Sequence, residues 1–259
     1  LSNVPLLMPD RDTQLAIAEA LGALDDKIAG NTQLRKTAES LLAALFGHTG
    51  MDTEPASEAE AVPLTDFVAL NPRLPAPSEA EPIYVDMQKL PTTGMSITDW
   101  NRRAAKGGAR FQNGDTLLAR ITPCLENGKT GYVDFLDEGQ VGLGSTEYIV
   151  LRAGAGHHPG LAYFLARSPR LREYAIRHMV GSSGRQRLSA ANLALLRLTK
   201  PDGDALRTFE DTAMALLPRL AAARDETRRL VETRDALLPQ LMSGKLKVKD
   251  AERVVEGVV

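Results

Sequence analysis

The sequence of 259 residues contains one cysteine, Cys124. A single thiol excludes an internal disulfide and any metal site built from several cysteines, and without an acid-base partner nearby it is expected to pack rather than react. No run of about 18 apolar residues occurs, so no membrane span is expected. No basic segment followed by an apolar run opens the chain, so no secretory signal is expected and a reducing, cytoplasmic location is the default.

Motifs for cofactor binding and catalysis are also absent. There is no G-x-G-x-x-G loop and no Walker lysine. The Asn/Asp-Pro-Pro-aromatic motif of adenine methyltransferases, which holds a flipped base, is not matched because Asn71-Pro72 is followed by Arg73. His157 and His158 are adjacent rather than at helical ligand spacing, so we expect a surface loop and no metal site. The sequence therefore predicts no catalytic residue and no cofactor held by this chain.

The net charge of −2 conceals a segregation of charge along the chain. Residues 62–200 hold 17 Lys and Arg against 12 Asp and Glu, whereas the remainder holds 14 against 21. The bias is strongest in 152–200, which has nine basic residues and one acid, Glu173. Such a segment indicates a surface for a polyanion, although arginines on solvent-exposed helix faces would give the same count.

Two stretches, 13–47 and 202–245, have the apolar spacing of long helices. A Pro-Asp-x-Asp sequence lies at the start of each, at 9–12 and 201–204, and supplies an N-cap carboxylate. A helix of about 34 residues is about 50 Å long. Such a rod is too long to bury its stripe on a small domain, so an antiparallel coiled coil is favoured over two separate amphipathic helices. The expected seam residues are Ile17, Leu21, Leu24, Ile28, Leu42 and Leu45 in the first helix, and Phe209, Leu216, Leu220, Leu230, Leu237 and Leu241 in the second.

The region between the helices has mixed character. Residues 48–61 are acidic and poor in core residues, which predicts a flexible linker. Residues 62–201 contain short strand-type segments separated by turn residues, with a helix expected over 159–179. The predicted fold class is α+β, one mixed domain flanked by two long helices. Residues 1–12 are expected to form a strand leading into the first helix, and 246–259 a C-terminal tail.

Several segments resemble a known family. FQNGDTLLARITPCLENGKTGYV, residues 111–133, places an Asn-Gly turn between two strand-type stretches. It is similar to the block F..GD.L.AR..P....GK...V in the target recognition domains of type I restriction-modification specificity subunits. LGALDDKIAGNTQL (21–34) resembles the helical pattern L..LD.KI..N..L of that family, and GSTEYIVLR (144–152) and GSSGRQRLSAANLALLRLTKP (181–201) resemble later blocks.

The resemblance covers nearly the whole chain, with one departure. A full specificity subunit carries two recognition domains, whereas this chain has one between two helices. It therefore resembles the C-terminal half of such a subunit, or a natural half-subunit.

The resemblance implies a protein without catalysis of its own. Its target recognition domain would read one half of a bipartite site in double-stranded DNA. Its helices would set the half-site spacing and bind a methyltransferase subunit, and through that subunit a nuclease-translocase. S-adenosylmethionine would be bound by the methyltransferase, and pairing of two copies of this chain stays open.

The expected DNA-binding residues lie in two of the resembling blocks. In the first, Lys129 and Thr130 are expected on the DNA backbone, and Arg120 is expected to read a base or brace the loop. In the second, Arg185 and Arg187 could bind phosphates or a guanine edge, and Gln186 could read an adenine. Ser182 and Ser183 are expected to donate to phosphate oxygens.

Two other functions remain open. A coiled-coil adaptor whose middle domain binds a protein would show no salt-sensitive DNA affinity. An enzyme, such as a methyltransferase with an unusual site, would bind its cofactor as an isolated chain.

Overall fold

A computed structural model describes residues 9–104, 107–182 and 184–258. Within these ranges, no helix combines the length and the apolar character that crossing a membrane requires. Most of the predicted strand at 1–12 lies outside the described residues.

The chain forms two compact units. The first, here called the helical unit, comprises the described residues of Leu1–Thr37 and Ala222–Val259. The second, the mixed unit, is Ala38–Ala221. Two long helices, α1 (Arg11–His48) and α5 (Gly203–Met242), contribute residues to both units.

Both long helices begin at the carboxylates that the Pro-Asp-x-Asp sequences predict. Asp10 accepts hydrogen bonds from the backbone nitrogen and the hydroxyl of Thr13, both at 2.9 Å. These two hydrogen bonds lower the pKa of Asp10. Asp202 likewise accepts from the backbone nitrogens of Asp204 and Ala205, at 3.0 and 2.8 Å. Each carboxylate satisfies N–H groups that have no partner within the first turn.

The helical unit is built around the paired seams of α1 and α5. Its buried cluster contains Ile17, Leu21, Leu24, Leu230, Leu237 and Leu241, with Ile28 partly buried against it. Asp25 pairs with Arg234 at 2.9 Å, and Asn31 donates to Glu226 at 2.6 Å. Because later residues of α1 meet earlier residues of α5, the two segments are antiparallel.

The C-terminal segment 246–259 is not the plain tail that we expected. It contains a short helix, α6 (Val248–Glu256), whose Ala251 and Val255 are buried in the same cluster of the helical unit. At the start of this segment, Leu246 and Val248 alternate with exposed lysines, a pattern that does not indicate a helix. Both apolar side chains nevertheless pack against this cluster.

In the mixed unit, the same two helices pack on the larger of its cores. Leu42, Phe209 and Leu220 are buried there, and Leu45 and Leu216 are partly buried against it. The rings of Phe46 and Phe209 meet edge to face, with centroids 5.8 Å apart. Every predicted seam residue is thus buried or partly buried within its own unit.

Short strands make up the sheets of the mixed unit. Within the described residues they are β1 (Ala61–Pro63), β2 (Val68–Leu70), β3 (Ile83–Val85), β4 (Asn101–Arg102), β5 (Ala109–Phe111), β6 (Thr116–Ala119), β7 (Thr130–Tyr132), β8 (Gly142–Gly144), β9 (Tyr148–Ala153) and β10 (Arg197–Thr199). They form sheets of order β2-β9-β6-β7 and β4-β3-β8-β5, and β1 pairs with β10. The pairing is antiparallel except between β3 and β8. The predicted α+β class is confirmed.

The single helix expected over 159–179 is instead two helices. They are α2 (Gly160–Arg167) and α3 (Pro169–Arg177), and a shorter helix, α4 (Ala190–Ala194), follows. Ser168 separates the first two in an extended conformation, and its hydroxyl accepts a hydrogen bond from the backbone nitrogen of Leu171 at 3.2 Å. The break occurs here because Pro169 has no N–H to continue α2, whereas the first position of a new helix tolerates it.

The segment 48–61, predicted to be a flexible linker, is packed against the mixed unit. Met51 is fully buried, and the hydroxyl of buried Thr49 donates to the carbonyl of Phe46 at 2.6 Å. Thr53 donates to the hydroxyl of Thr199 at 3.1 Å. The composition of the segment as a whole misled the prediction, because a few residues such as Met51 and Thr49 anchor it.

Candidate nucleic-acid interface

A buried ion pair fixes the start of the β6–β7 hairpin, the block that resembles the recognition domains. Asp115 is fully buried and binds Arg152 of β9 through two hydrogen bonds, at 2.7 and 2.8 Å. The backbone nitrogen of Gln112 also donates to Asp115, at 2.8 Å. The Gly-Asp of the sequence block therefore has a structural task, which is to hold β6 against β9.

Most of the nine basic residues in 152–200 are likewise used inside the mixed unit. Arg167 donates to the carbonyl of Gly128 at 2.7 Å, and Arg172 donates to the carbonyl of Glu126. The other internal pairs are Arg152 with Asp115, Arg170 with Glu54, Arg177 with Glu173, Arg187 with Glu147, and Arg197 with the carbonyl of Ala61. Because these contacts are internal, the charge count overstates the polyanion surface.

Lys129 and Thr130 are placed where direct DNA contact is unfavourable. The ammonium group of Lys129 donates to the carbonyls of Met87 and Gln88, at 2.6 and 3.4 Å. Thr130 is 1% exposed, and its backbone nitrogen donates to Pro91 at 3.0 Å. Burial leaves the Thr130 side chain no access to the DNA backbone, which corrects the expectation for that residue. Lys129 is partly exposed and helps to hold the hairpin loop in place, and its contact with the DNA backbone stays a prediction.

The described residues 180–182 and 184–187, at the start of the second resembling block, form a small hairpin, here called the arginine hairpin. Val180 and Arg187 exchange backbone hydrogen bonds at 3.0 and 2.9 Å. Ser182 and Arg185 are exposed, and Gln186 is partly exposed. Ser183 lies outside the described residues. Gly181 has a φ of 140°, and a Cβ there would lie 2.8 Å from the carbonyl oxygen of Arg185, so the turn requires glycine.

The arginine hairpin is bound to the end of β6. The backbone nitrogen of Thr122 donates to Gln186 at 3.1 Å, and the hydroxyl of Thr122 accepts from the nitrogen of Gln186 at 3.1 Å. The nitrogen of Leu188 donates to the carbonyl of Arg120 at 2.8 Å. The structure therefore brings together Arg120 and the 185–187 residues, which the sequence separates by more than sixty positions.

Glu147 joins the two arginines of this junction. Its carboxylate oxygens accept from Nε of Arg187, at 2.9 and 3.0 Å. The Nε of Arg120 lies 3.8 Å from the same carboxylate and has no hydrogen-bond partner among the described residues. The backbone nitrogen of Arg120 donates to the carbonyl of Glu147 at 3.0 Å. The sequence offered no signal for Glu147 except its place in the resembling segment 144–152.

A second group of cations lines an open groove beside Arg120, here called the basic groove. Among the residues that the structure describes, its lining contains three arginines and no carboxylate. These residues are Asn71, Pro72, Arg73, Leu74, Gly108, Ala109, Arg110, Arg120, Thr146, Tyr148 and Val150. Burial raises the pKa of the Tyr148 phenol, whose hydroxyl donates to the carbonyl of Val85 at 3.3 Å. Sequence reasoning missed Arg73 and Arg110, because neither arginine lies within one of the resembling segments.

The loop that carries Arg73 is fixed by its neighbours. Asn71 adopts a φ of 48°, and its side-chain oxygen accepts from the backbone nitrogen of Val150 at 2.9 Å. Its own nitrogen donates to the carbonyl of Val150 at 2.7 Å. Arg110 donates to the carbonyl of Leu74 at 2.7 Å. Arg73 itself is exposed, and no partner for its side chain occurs in the part of the chain that the structure describes.

The histidines at 157 and 158 serve the fold of the mixed unit. His157 contacts Glu210 at 2.9 Å and packs on Phe67, with ring centroids 5.3 Å apart. His158 accepts from the backbone nitrogen of Gly160, at the start of α2. Among residues 9–104, 107–182 and 184–258, no group of three or more His, Cys, Asp or Glu side chains is placed to hold a metal ion.

Comparison with known proteins gives partial matches. No protein-family model matches the chain. It is 31% identical over 137 residues to the specificity subunit of the type I restriction enzyme EcoEI of Escherichia coli, covering 50% of this chain and 23% of that subunit. It is 30% identical over 133 residues to the specificity subunit of EcoAI, also of E. coli, covering 48% and 22%. The chain thus matches less than a quarter of the length of these curated relatives.

A solved structure has a similar fold. The S subunit of a type I restriction-modification system from M. genitalium superposes with a TM-score of 0.54 at 15% identity. The match covers 90% of this chain and 61% of that subunit. At this identity the likeness concerns the fold alone.

Proposed function

We propose, from the premise that the chain is similar to the specificity subunits of type I restriction-modification systems, that its mixed unit reads one half of a bipartite target in double-stranded DNA. The observation that carries the proposal is the junction at Arg120. This residue lines the basic groove and also anchors the arginine hairpin. Among the described residues, the groove lining has three arginines and no carboxylate, and the neighbouring hairpin adds exposed Arg185 and Arg187, the latter paired with Glu147. Such a surplus of cations fits a negatively charged partner.

Only some of the arginines are exposed and unpaired, which supports a defined DNA-binding surface rather than a generally basic one. Arginines 152, 167, 170, 172 and 197 are committed to internal carbonyls and carboxylates. The cations that remain for a ligand include Arg73 and Arg185, which are exposed and have no side-chain partner among the described residues. Free cations of this kind bind DNA phosphates. The base sequence is read by other groups, which contact base edges in the grooves of the DNA.

The two long helices would carry the contacts with other subunits. In this proposal they bind a methyltransferase subunit, which holds S-adenosylmethionine, and through it a nuclease-translocase. The chain itself is then not an enzyme, its location is cytoplasmic, and pairing of two copies would rebuild a two-domain reader. A strictly monomeric chain in the assembled complex would count against that pairing.

A binding titration tests the DNA part of the proposal. The full chain is titrated with a random-sequence duplex of about 40 base pairs between 50 and 200 mM salt, in the range where counterion release dominates affinity. We expect salt-sensitive binding, and the substitution Arg73→Gln to reduce the slope of log K against log salt by about 0.9, the value for one phosphate contact. Arg177→Gln is the matched control because Arg177 already pairs with Glu173. Affinity that does not respond to salt would favour a protein-binding adaptor.

Methylation mapping tests the specificity role. The chain is co-expressed with its methyltransferase subunit, and methylated adenines are located by long-read sequencing. A new bipartite motif supports the proposal, and a palindromic motif adds that two copies read together. A stable complex that produces no motif argues against target reading by this chain.

A further inference from the structure

Two arginines on the arginine hairpin have different surroundings. Arg185 is exposed, and its guanidinium has no partner among the described residues. Arg187, two positions later, places its Nε against both carboxylate oxygens of Glu147, at 2.9 and 3.0 Å. The same side-chain type is therefore free at one position and held at the other.

The residue whose carboxylate binds Arg187 has an anchored main chain. Glu147 lies just before β9, and its side chain is only 26% exposed. Its backbone nitrogen donates to the hydroxyl of Ser145 at 3.1 Å, and its carbonyl accepts from Arg120 at 3.0 Å. Because the main chain of Glu147 is anchored on both sides and its side chain is only partly exposed, its carboxylate gives the Nε of Arg187 a defined partner.

The contact with Glu147 leaves the two terminal nitrogens of the Arg187 guanidinium available to a ligand. A guanidinium has five N–H donors in a fixed planar fork, and Glu147 takes only the one on Nε. The two terminal nitrogens make no other contact within the described residues, and the side chain is 45% exposed. A fork of this kind matches the paired acceptors O6 and N7 of guanine, and fixing it beforehand lowers the entropic cost of binding.

The charge of Glu147 separates Arg187 from Arg185 in a second way. A carboxylate about 3 Å from a guanidinium offsets its charge and repels a phosphate that approaches the same place. The base edge is neutral and is not repelled in this way. Arg187 is thus poorly suited to indiscriminate backbone contact, whereas Arg185 is well suited to it.

We infer that Glu147 is a positioning residue that presents Arg187 to a base edge, so that Arg187 determines specificity while Arg185 contacts phosphate. The inference rests on the proposed function and goes beyond it, because it divides two neighbouring arginines between two tasks. Arg120, whose Nε lies 3.8 Å from the same carboxylate, would be held in the basic groove by the same group.

Selection from a randomised duplex pool tests the inference with the full chain. The pool reports base preference at each position, and titration of a single random-sequence duplex across salt reports the number of phosphate contacts. We expect Arg187→Lys, which keeps the charge but loses the fork, to leave the salt slope unchanged. It should reduce enrichment at one base pair about tenfold or more, the range of a good bidentate pair.

The companion variants separate positioning from charge. Glu147→Gln should weaken preference at the same base pair, leave a salt slope that is equal or up to about 0.9 steeper, and have little further effect in the Arg187→Lys background. Arg185→Gln should lower the slope by about 0.9 and retain the preference. Thermal unfolding of each variant shows whether the fold persists. If Glu147→Gln unfolds, the two arginine variants still decide whether Arg187 determines specificity while Arg185 contacts phosphate.

The outcomes distinguish the inference from the proposed function. If the unsubstituted chain enriches no sequence and binds without salt dependence, the proposed function fails. If it enriches a motif that Arg187→Lys retains in full, or if Arg185→Gln is the variant that loses the motif, the inference is overturned while the proposed function stands.

Discussion

The ammonium group of Lys129 lies 2.6 Å from the carbonyl oxygen of Met87 and donates a hydrogen bond to it. Met87 begins a short 3₁₀ helix (Met87–Lys89), so the lysine joins the β6–β7 hairpin to a segment about forty residues earlier. Arg167 and Arg172 bind carbonyls on the other side of the same loop. The cations around this loop therefore stabilise its shape.

Replacement of Lys129 by methionine should weaken the fold and spare DNA binding. The substitution leaves the carbonyl of Met87 without its charged donor, which costs about 1.5–3 kcal/mol of the free energy of unfolding. The slope of log K against log salt should not change, because no phosphate contact is lost. Urea denaturation and the salt titration measure the two effects. A slope lower by about 0.9 would show that Lys129 contacts a DNA phosphate.

Replacement of Asp115 should destabilise the fold far more than replacement of a carboxylate in an exposed ion pair. It is fully buried and holds Arg152 through two hydrogen bonds, so Asp115→Ala leaves a partly buried guanidinium without its partner and should cost about 3 kcal/mol or more. Glu173→Ala, in the exposed pair with Arg177, should cost less than about 1 kcal/mol. Denaturation of both variants in one buffer gives the comparison, and equal costs would contradict the structural role of Asp115.

The sequence predicted the helical features well because their causes are local. Seam residues such as Leu24 and Leu230 recur with helical periodicity, and the caps at Asp10 and Asp202 lie within three residues of the N–H groups they bind. The resemblance to type I specificity subunits is likewise confirmed by the curated relatives, because its motifs are contiguous.

The binding residues were harder to predict because their environment comes from distant parts of the chain. Nothing near Lys129 in the sequence indicates Met87, and nothing near Arg187 indicates Glu147. Arg73 enters the basic groove only because Asn71 pairs with Val150, seventy-nine positions later. Charge counting fails for the same reason, since it cannot distinguish a guanidinium that binds a carbonyl from one that is free.

Gly142 should not tolerate even one added methyl group. A Cβ at this position of β8 would lie 2.3 Å from the ring of Phe111, which is fully buried. Gly142→Ala must displace the ring or the strand, and overpacking of this kind costs about 1–3 kcal/mol. Gly139→Ala is a control for space, because nothing lies within 4 Å of its added Cβ, although its φ of 73° adds backbone strain. Unfolding midpoints measure both, and an unaffected Gly142→Ala variant would contradict the packing of β8 on Phe111.

The seam of the helical unit offers a test of how its apolar and polar positions differ. Leu24 is fully buried, so Leu24→Ala leaves a cavity and should cost about 2–5 kcal/mol. Asn31 donates to Glu226 at 2.6 Å, but Lys27 lies 3.6 Å from the same carboxylate and would remain its partner. Asn31→Leu should therefore change the free energy of unfolding by only about 1 kcal/mol, because a well-packed apolar side chain replaces the polar one.

Denaturation of the full chain, followed by far-ultraviolet circular dichroism, compares the two seam variants. If the costs are as expected, Asn31 sets the register of the two paired helices and contributes little to their stability. If Asn31→Leu costs as much as Leu24→Ala, the hydrogen bond to Glu226 contributes to stability directly. If neither variant has an effect, the paired seam does not stabilise the helical unit.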